Sequence, residues 1–284
     1  MCGIVGYVGR RDAAAVLVRG LECLEYRGYD SVGVAVQNGH GIAVRKIAGR
    51  LPGLRQELLR APVAGGCGIA HTRWATHGAP TAGNAHPHAD CSGEIAVVHN
   101  GIIENADELR AALVSAGHRF VSDTDTEVLA HLIEASSGEH LEDRVRAALR
   151  SVEGTYGLAV MASTDPDKVV AARRGSPVLI GVGKDELFLA SDASAVLDHT
   201  RSVVYLDDGD VAVMTPDGYQ VTDNAACPQA RAVDDIDWDT EAAALGGYPH
   251  FMLKEIFEQP DTVQQTLRGR LLPVEGTARL NGLN

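Results

Sequence analysis

Cys2 follows Met1 and precedes Gly3-Ile4-Val5-Gly6. A small second residue favours removal of the initiator methionine. The product carries a thiol and a free α-amine on one residue. The amine titrates near ~7.7–8.0 and the thiol near ~8.5, so the amine can take the thiol's proton close to neutral pH. That is a nucleophile with its own base. Read alone, Cys2 is equally a small apolar residue opening an edge strand. Glycine beside it lets another backbone or a ligand approach closely. Polar and aromatic residues recur in blocks further on: Glu25 to Ser31, Ala70 to Gly78, Asn84 to His88, Val97 to Asn105, and Ser122 to Glu127. Asn100-Gly101, after an apolar run, reads from bare sequence as a hairpin turn. Asp125 reads as a favourable acid in the first turn of a helix, and Trp74 as core filling.

Composition excludes several classes. The chain has 284 residues, 45% of them hydrophobic, enough for one large domain or one domain with part of a second. With 38 acidic against 25 basic residues, the net charge of −13 repels nucleic acid and anionic lipid, so neither is an expected partner. Cys2, Cys23, Cys67, Cys91 and Cys227 are odd in number and scattered, which points to a reducing, cytoplasmic location. No apolar run long enough for a membrane span, no signal peptide and no complete dinucleotide or P-loop signature is present. His71, His77, His86, His88 and His99 lie near Cys67 and Cys91. Without a Cys-x-x-Cys or His-Glu-x-x-His spacing, no functional metal is expected from them.

The elements that must position these residues are short strands with helices between them. Strand runs are Gly3 to Val8, Val32 to Val36, Gly68 to Ala70, Ile95 to His99, Leu158 to Met161, Val178 to Val182, Leu187 to Leu189 and Val211 to Met214. Asn38-Gly39 joins the run 32–36 to 42–47 as a hairpin. Ala13 to Leu24 is a helix with Val16, Leu17, Leu21 and Leu24 on one face. Asn105, with an acid three residues on, caps a second helix. Thr124 to Glu127 starts a third, with Leu129, Leu132 and Ile133 as its buried stripe. The mixture predicts an α+β layered domain with antiparallel sheets. Composition shifts near residue 222: residues 223–248 read as a linker, and a new patterned segment starts at 249.

Taken in order, these blocks resemble the glutaminase domain of the glucosamine-6-phosphate synthase family. Those are class II glutamine amidotransferases of the N-terminal-nucleophile hydrolase superfamily. The resemblance covers roughly residues 2 to 220, and His71 to Gly78 and Arg27 to Ser31 are specific to this branch. Met252 to Pro260 resembles the opening of the family's sugar isomerase half. The domains implied are therefore 1–222 glutaminase, 223–248 linker and 249–284 a truncated start of the isomerase half. The fold implied is a four-layer αββα sandwich.

The resemblance also implies roles. Cys2 attacks the side-chain carboxamide of L-glutamine and forms a γ-glutamyl thioester. The Asn100 side chain and the Gly101 N–H form the oxyanion hole. Arg73 binds the α-carboxylate with its planar fork, with Thr76 and His77 as neighbouring contacts. Asp125 holds the α-ammonium, Trp74 sits on the loop covering glutamine, and His86 is a secondary site residue or a structural one. No cofactor is implied. Ammonia passes to fructose 6-phosphate only in the full-length enzyme, whose homodimer forms through the isomerase half. The alternatives are the glutaminase domain of another class II amidotransferase, or a non-catalytic glutamine sensor.

Overall fold

The computed structural model describes residues 2–237, 247–267, 271–272 and 277–278. Its contacts cluster into two units, Met1–Asp237 and Trp238–Asn284. The first unit opens with β1 (Gly3–Val8), α1 (Ala13–Leu24), β2 (Ser31–Asn38), β3 (Gly41–Ala48), α2 (Leu51–Arg60) and β4 (Cys67–Arg73). Then come β5 (His88–Ala89), β6 (Ile95–Ile103), α3 (Ala106–Ser115), α4 (Glu127–Ala135), α5 (Leu141–Leu149) and β7 (Gly154–Ala162). It closes with β8 (Asp165–Arg174), β9 (Leu179–Val182), β10 (Leu187–Ala190), β11 (Ser202–Tyr205), β12 (Asp210–Thr215), β13 (Gly218–Asp223) and β14 (Asp234–Asp235).

Two antiparallel sheets result. The first has eight strands in the order β14-β11-β9-β10-β1-β4-β2-β3, and the second six in the order β13-β12-β8-β7-β6-β5. The pleat sorts every strand between two layers. In β1, Val5 and Tyr7 face α1 and α2, while Ile4 and Val8 face the other sheet. In β6, Ile95 and Val97 face α4 and α5, while Ala96 and Val98 face the first sheet. Three apolar layers between four structural layers make the αββα sandwich expected from the resemblance. Strands buried on both faces explain why the sequence shows continuous apolar runs rather than alternation.

The predicted strands and the helix Ala13–Leu24 form where expected, and the hairpin turns at 39–40 between β2 and β3. Two helix starts differ from expectation. Asn105 makes no side-chain cap; its amide instead donates to Ser151 O at 2.9 Å and accepts from Glu153 N at 3.0 Å, pinning α3 to the β7 approach. Thr124 Oγ1 does accept from Glu127 N at 3.4 Å, but the Glu127 carboxylate turns to Val121 N and Ser122 N at 2.8 and 2.7 Å. Residues 234–235 pair with β11, and Ile236 enters the core. In the second unit, Phe251–Leu267 is a helix, α6, and Leu271–Leu272 pairs with Thr277–Ala278.

Candidate active site

The period that builds the inter-sheet layer also builds its polar end. On β4, Cys67 and Ile69 point between the sheets, so His71 and Arg73 do too. On β6 the same parity carries Ala96, Val98 and then Asn100. Cys2, one step before Gly3 and in phase with Ile4, completes the set. Where apolar side chains stop, a thiol, an amide, an imidazole and a guanidinium take their place. His71 is fully buried, while Cys2, Asn100 and Arg73 face a cavity of ≈ 210 Å³ that Thr76, His77, Thr124, Asp125, Ser176 and Pro177 also line.

Cys2 Sγ accepts from Trp74 N at 3.2 Å and lies 3.6 Å from Trp74 O. Burial pushes its thiol above the ordinary value, and the Trp74 N–H works against that shift. A thiol held so is mostly protonated at neutral pH and needs a base to react. Met1, whose removal would free the α-amine, lies outside the described residues.

Asn100 and Gly101 are not a turn. Both lie within β6, opposite Gly157 and Tyr156 of β7. Gly101 has φ +132, and a Cβ there would fall 2.1 Å from Thr155 O, so the strand tolerates only glycine at this point. Asn100 Nδ2 donates to Cys2 O at 3.0 Å, and Asn100 Oδ1 lies 3.0 Å from His71 Nε2. A carbonyl can only accept, which orients the amide and leaves the oxygen facing His71. Nε2 of His71 therefore carries the proton. Burial lowers the His71 pKa to about 3, so this imidazole stays neutral. The second N–H of Asn100 is left over for the cavity.

Arg73 and Asp125 bring opposite charges to one cavity. Arg73 is 4% exposed and donates to the carbonyls of His77, Gly78 and Ala79, at 3.1 Å to Gly78 and 3.2 Å to Ala79. No carboxylate pairs with it among the described residues. Asp125, 9% exposed, accepts from Ile103 N at 2.9 Å and has no cationic partner among the described residues. A buried charge without a counter-charge is costly unless a ligand supplies one. A zwitterion with a separate uncharged arm matches both.

Other expected residues fall as follows. Trp74 is 48% exposed at the rim, edge-on to Tyr29 at 5.5 Å, so it does not fill the core. His77 Nδ1 lies 3.4 Å from Thr76 Oγ1, and both line the cavity. His86 lines it too, stacked on His71 at 4.1 Å and accepting from His99 N at 3.3 Å. Burial and neighbouring imidazoles hold His86 well below its ordinary pKa. Cys67, buried with its thiol pushed up to about 12, stands apart from these histidines and donates to Lys168 O at 3.7 Å.

Several contributors are given no role by the sequence, or appear there only as members of a block. Lys46 donates to the carbonyls of Gly83, Ala85 and Pro87 at 3.1, 2.8 and 3.2 Å, holding the segment that carries His86. Asp30 accepts from Ala75 N, and Gly28 packs where a Cβ would fall 2.7 Å from the Arg73 carbonyl carbon. Ser176 and Pro177 reach the cavity from the β8–β9 connection.

Comparison with known proteins gives a consistent picture. A family model described as a glutamine amidotransferase domain matches residues 71–198. A glutamine–fructose-6-phosphate aminotransferase (isomerizing) from Thermus thermophilus is 52% identical over 280 residues, 99% of this chain and 46% of that protein. Proteins of the same name from Clostridium tetani and Thermococcus kodakarensis are 50% and 49% identical, over 96% and 95% of this chain and 45% of each relative. The chain thus spans about half the length of the curated relatives it matches. Among solved structures, the glutamine phosphoribosylpyrophosphate amidotransferase from B. subtilis superposes with TM-score 0.68 at 27% identity, covering 78% of this chain and 49% of that one.

Proposed function

Because the chain carries a domain of the glutamine amidotransferase family, we propose that it hydrolyses L-glutamine to glutamate and ammonia through Cys2. The observation that carries this reading is one cavity holding a thiol, a spare amide donor, an unpaired buried guanidinium and an unpaired buried carboxylate. The α-carboxylate of glutamine pairs with Arg73 and its α-ammonium with Asp125, which aims the carboxamide at Cys2 Sγ. Thr76, His77 and His86 complete the walls, and Trp74 covers the entrance.

The chemistry then runs as follows. The α-amine of Cys2, freed by loss of Met1, takes the thiol proton, and the thiolate attacks the carboxamide carbon. Negative charge develops on the carboxamide oxygen, which the free N–H of Asn100 and the Gly101 N–H receive. The protonated amine returns its proton to the leaving nitrogen, and ammonia departs. Water, deprotonated by the same amine, attacks the thioester carbon, and glutamate leaves as the thiol re-forms.

The relatives' shared name supports a further step. Ammonia is delivered to fructose 6-phosphate in a longer protein, of which residues 249–284 open the sugar-handling half. Identity near 50% to those relatives, against 27% to the phosphoribosylpyrophosphate enzyme, favours this acceptor.

The test separates chain forms with and without Met1 by intact mass and assays each for glutamate release. The processed form is expected to be active and the Met1-bearing form to fall by about 10²–10⁴, the usual contribution of a positioned base. Equal rates would remove the amine from its role. A Cys2→Ser chain that performs the native function unimpaired would instead favour a glutamine sensor.

A further inference from the structure

Away from the Cys2 cavity, four side chains that the proposed reaction does not use converge on one point. Cys91 stands in the turn between β5 and β6, and His118 in the connection from α3 to α4. His131 and Glu134 lie one turn apart on α4. One ligating atom from each lies within 4.8 Å of the others. Cys91 Sγ is 3.7 Å from His118 Nδ1 and 3.5 Å from His131 Nδ1. Glu134 Oε2 is 2.9 Å from His118 Nδ1 and 3.3 Å from His131 Nδ1.

These separations have the size of the edges of a metal polyhedron. Zinc bonds of about 2.3 Å to sulfur and about 2.0–2.1 Å to nitrogen and oxygen give tetrahedral edges of about 3.5 Å for S···N and about 3.3 Å for N···O. Three of these four edges are within a few tenths of an ångström of those values and the His118–Glu134 edge is shorter, while the two remaining pairs, Cys91–Glu134 and His118–His131, lie within 4.8 Å. We propose that Cys91, His118, His131 and Glu134 form a closed four-coordinate site for one zinc-type divalent ion.

The surroundings fit that role. A thiolate with two imidazoles selects zinc over magnesium or calcium, which prefer oxygen alone. His131 offers Nδ1 to the site, while its buried Nε2 makes no hydrogen bond and lies 3.5 Å from Glu127 Oε1. With a metal on Nδ1 the proton resides on Nε2, beside that carboxylate, as in sites where an acid backs a metal-bound histidine. The Arg119 N–H donates to Cys91 Sγ at 3.4 Å. Phe120 walls the site against the His131 ring at 4.4 Å, and Cys91 is exposed, which leaves a path for entry. Four protein ligands leave no open position, so the ion is structural. It ties the β5–β6 turn and the α3–α4 connection to α4, and that connection carries Asp125.

The experiment strips the 284-residue chain with chelator and titrates it with Zn²⁺ against a chromogenic competitor, then with Co²⁺. The expected result is one ion per chain, a thiolate-to-cobalt charge-transfer band and a higher Tm. Cys91→Ser, at the surface, and His118→Ala, partly buried, are each expected to weaken Zn²⁺ by more than about 100-fold, beyond the 10–100-fold typical of an outer-shell partner. Cys91→Ser also loses the cobalt band, and Cys2→Ala keeps it. Absence of binding to the wild-type chain at equimolar Zn²⁺ would overturn the proposal. So would binding that survives Cys91→Ser and vanishes in Cys2→Ala.

Discussion

Two regions of this domain set a cysteine among imidazoles, and they are built oppositely. Around Cys2 the histidines are buried against one another: His71 stacks on His86, and burial keeps both neutral. Among the described residues no carboxylate hydrogen-bonds to Cys2, and its partners are backbone and amide groups. Around Cys91 each histidine faces a carboxylate, His118 and His131 toward Glu134 and His131 toward Glu127 as well. The same two residue types thus serve different ends. Neutral imidazoles without acids become rigid spacers that orient an amide, whereas imidazoles backed by carboxylates become ligands.

The sharpest way to break this contrast is to exchange the thiols' fates. Cys2→Ala is expected to reduce glutamate release by more than about 10⁴-fold. Cys91→Ala should lower Tm yet leave kcat within a few-fold at a permissive temperature. Comparable losses of kcat in steady-state assays of both would erase the distinction.

Next in size is Asn100→Ala. Loss of one oxyanion donor is expected to lower kcat by about 10²–10³ with little change in KM. A rise in KM alone would place Asn100 in ground-state binding. Arg73→Lys acts the other way. An ammonium cannot reproduce the fork or hold the carbonyls of residues 77–79, so KM for glutamine should rise by about 10–100-fold, the size of a lost charge-assisted hydrogen bond. Unchanged KM in the same assay would move carboxylate recognition elsewhere.

The smallest effect is a predicted silence. With its pKa near 3, His71 is neutral at every working pH. The pH–rate profile between ~5 and ~9 should show one rising limb, because the amine must be unprotonated to take the thiol proton, and no limb from His71. A limb near the ordinary histidine value that disappears in His71→Asn would show that this imidazole titrates.

Much of the scaffold was legible because its signals are local. The apolar runs, the Asn38-Gly39 turn and the face of Ala13–Leu24 are each decided within a few residues. The identity of the blocks at Arg27, His71 and Asn100 pointed to the family. Asn100-Gly101 could not be resolved locally, since a turn and a strand interior share that dipeptide, and only pairing with Gly157 and Tyr156 decides. Asn105 looked like a cap because the partners that claim it, Ser151 and Glu153, arrive from a distant segment. Lys46 and Ser176 were silent for the same reason, and the sequence set Cys91 beside other histidines than the two that meet it in the Cys91 group. Of the last, only His131 and Glu134 lie close in sequence, and they read as an ordinary helix face.

The side-chain amide of Asn100 bridges the two sheets. It belongs to the six-stranded sheet, yet both its hydrogen bonds go to the eight-stranded one, to Cys2 and His71. The donor proposed for the oxyanion is therefore a gauge of the distance between sheets. A swelling of the inter-sheet layer by even half an ångström would misaim it while every strand stayed paired. Turnover would then report the tightness of the core and fade on heating before the secondary structure does.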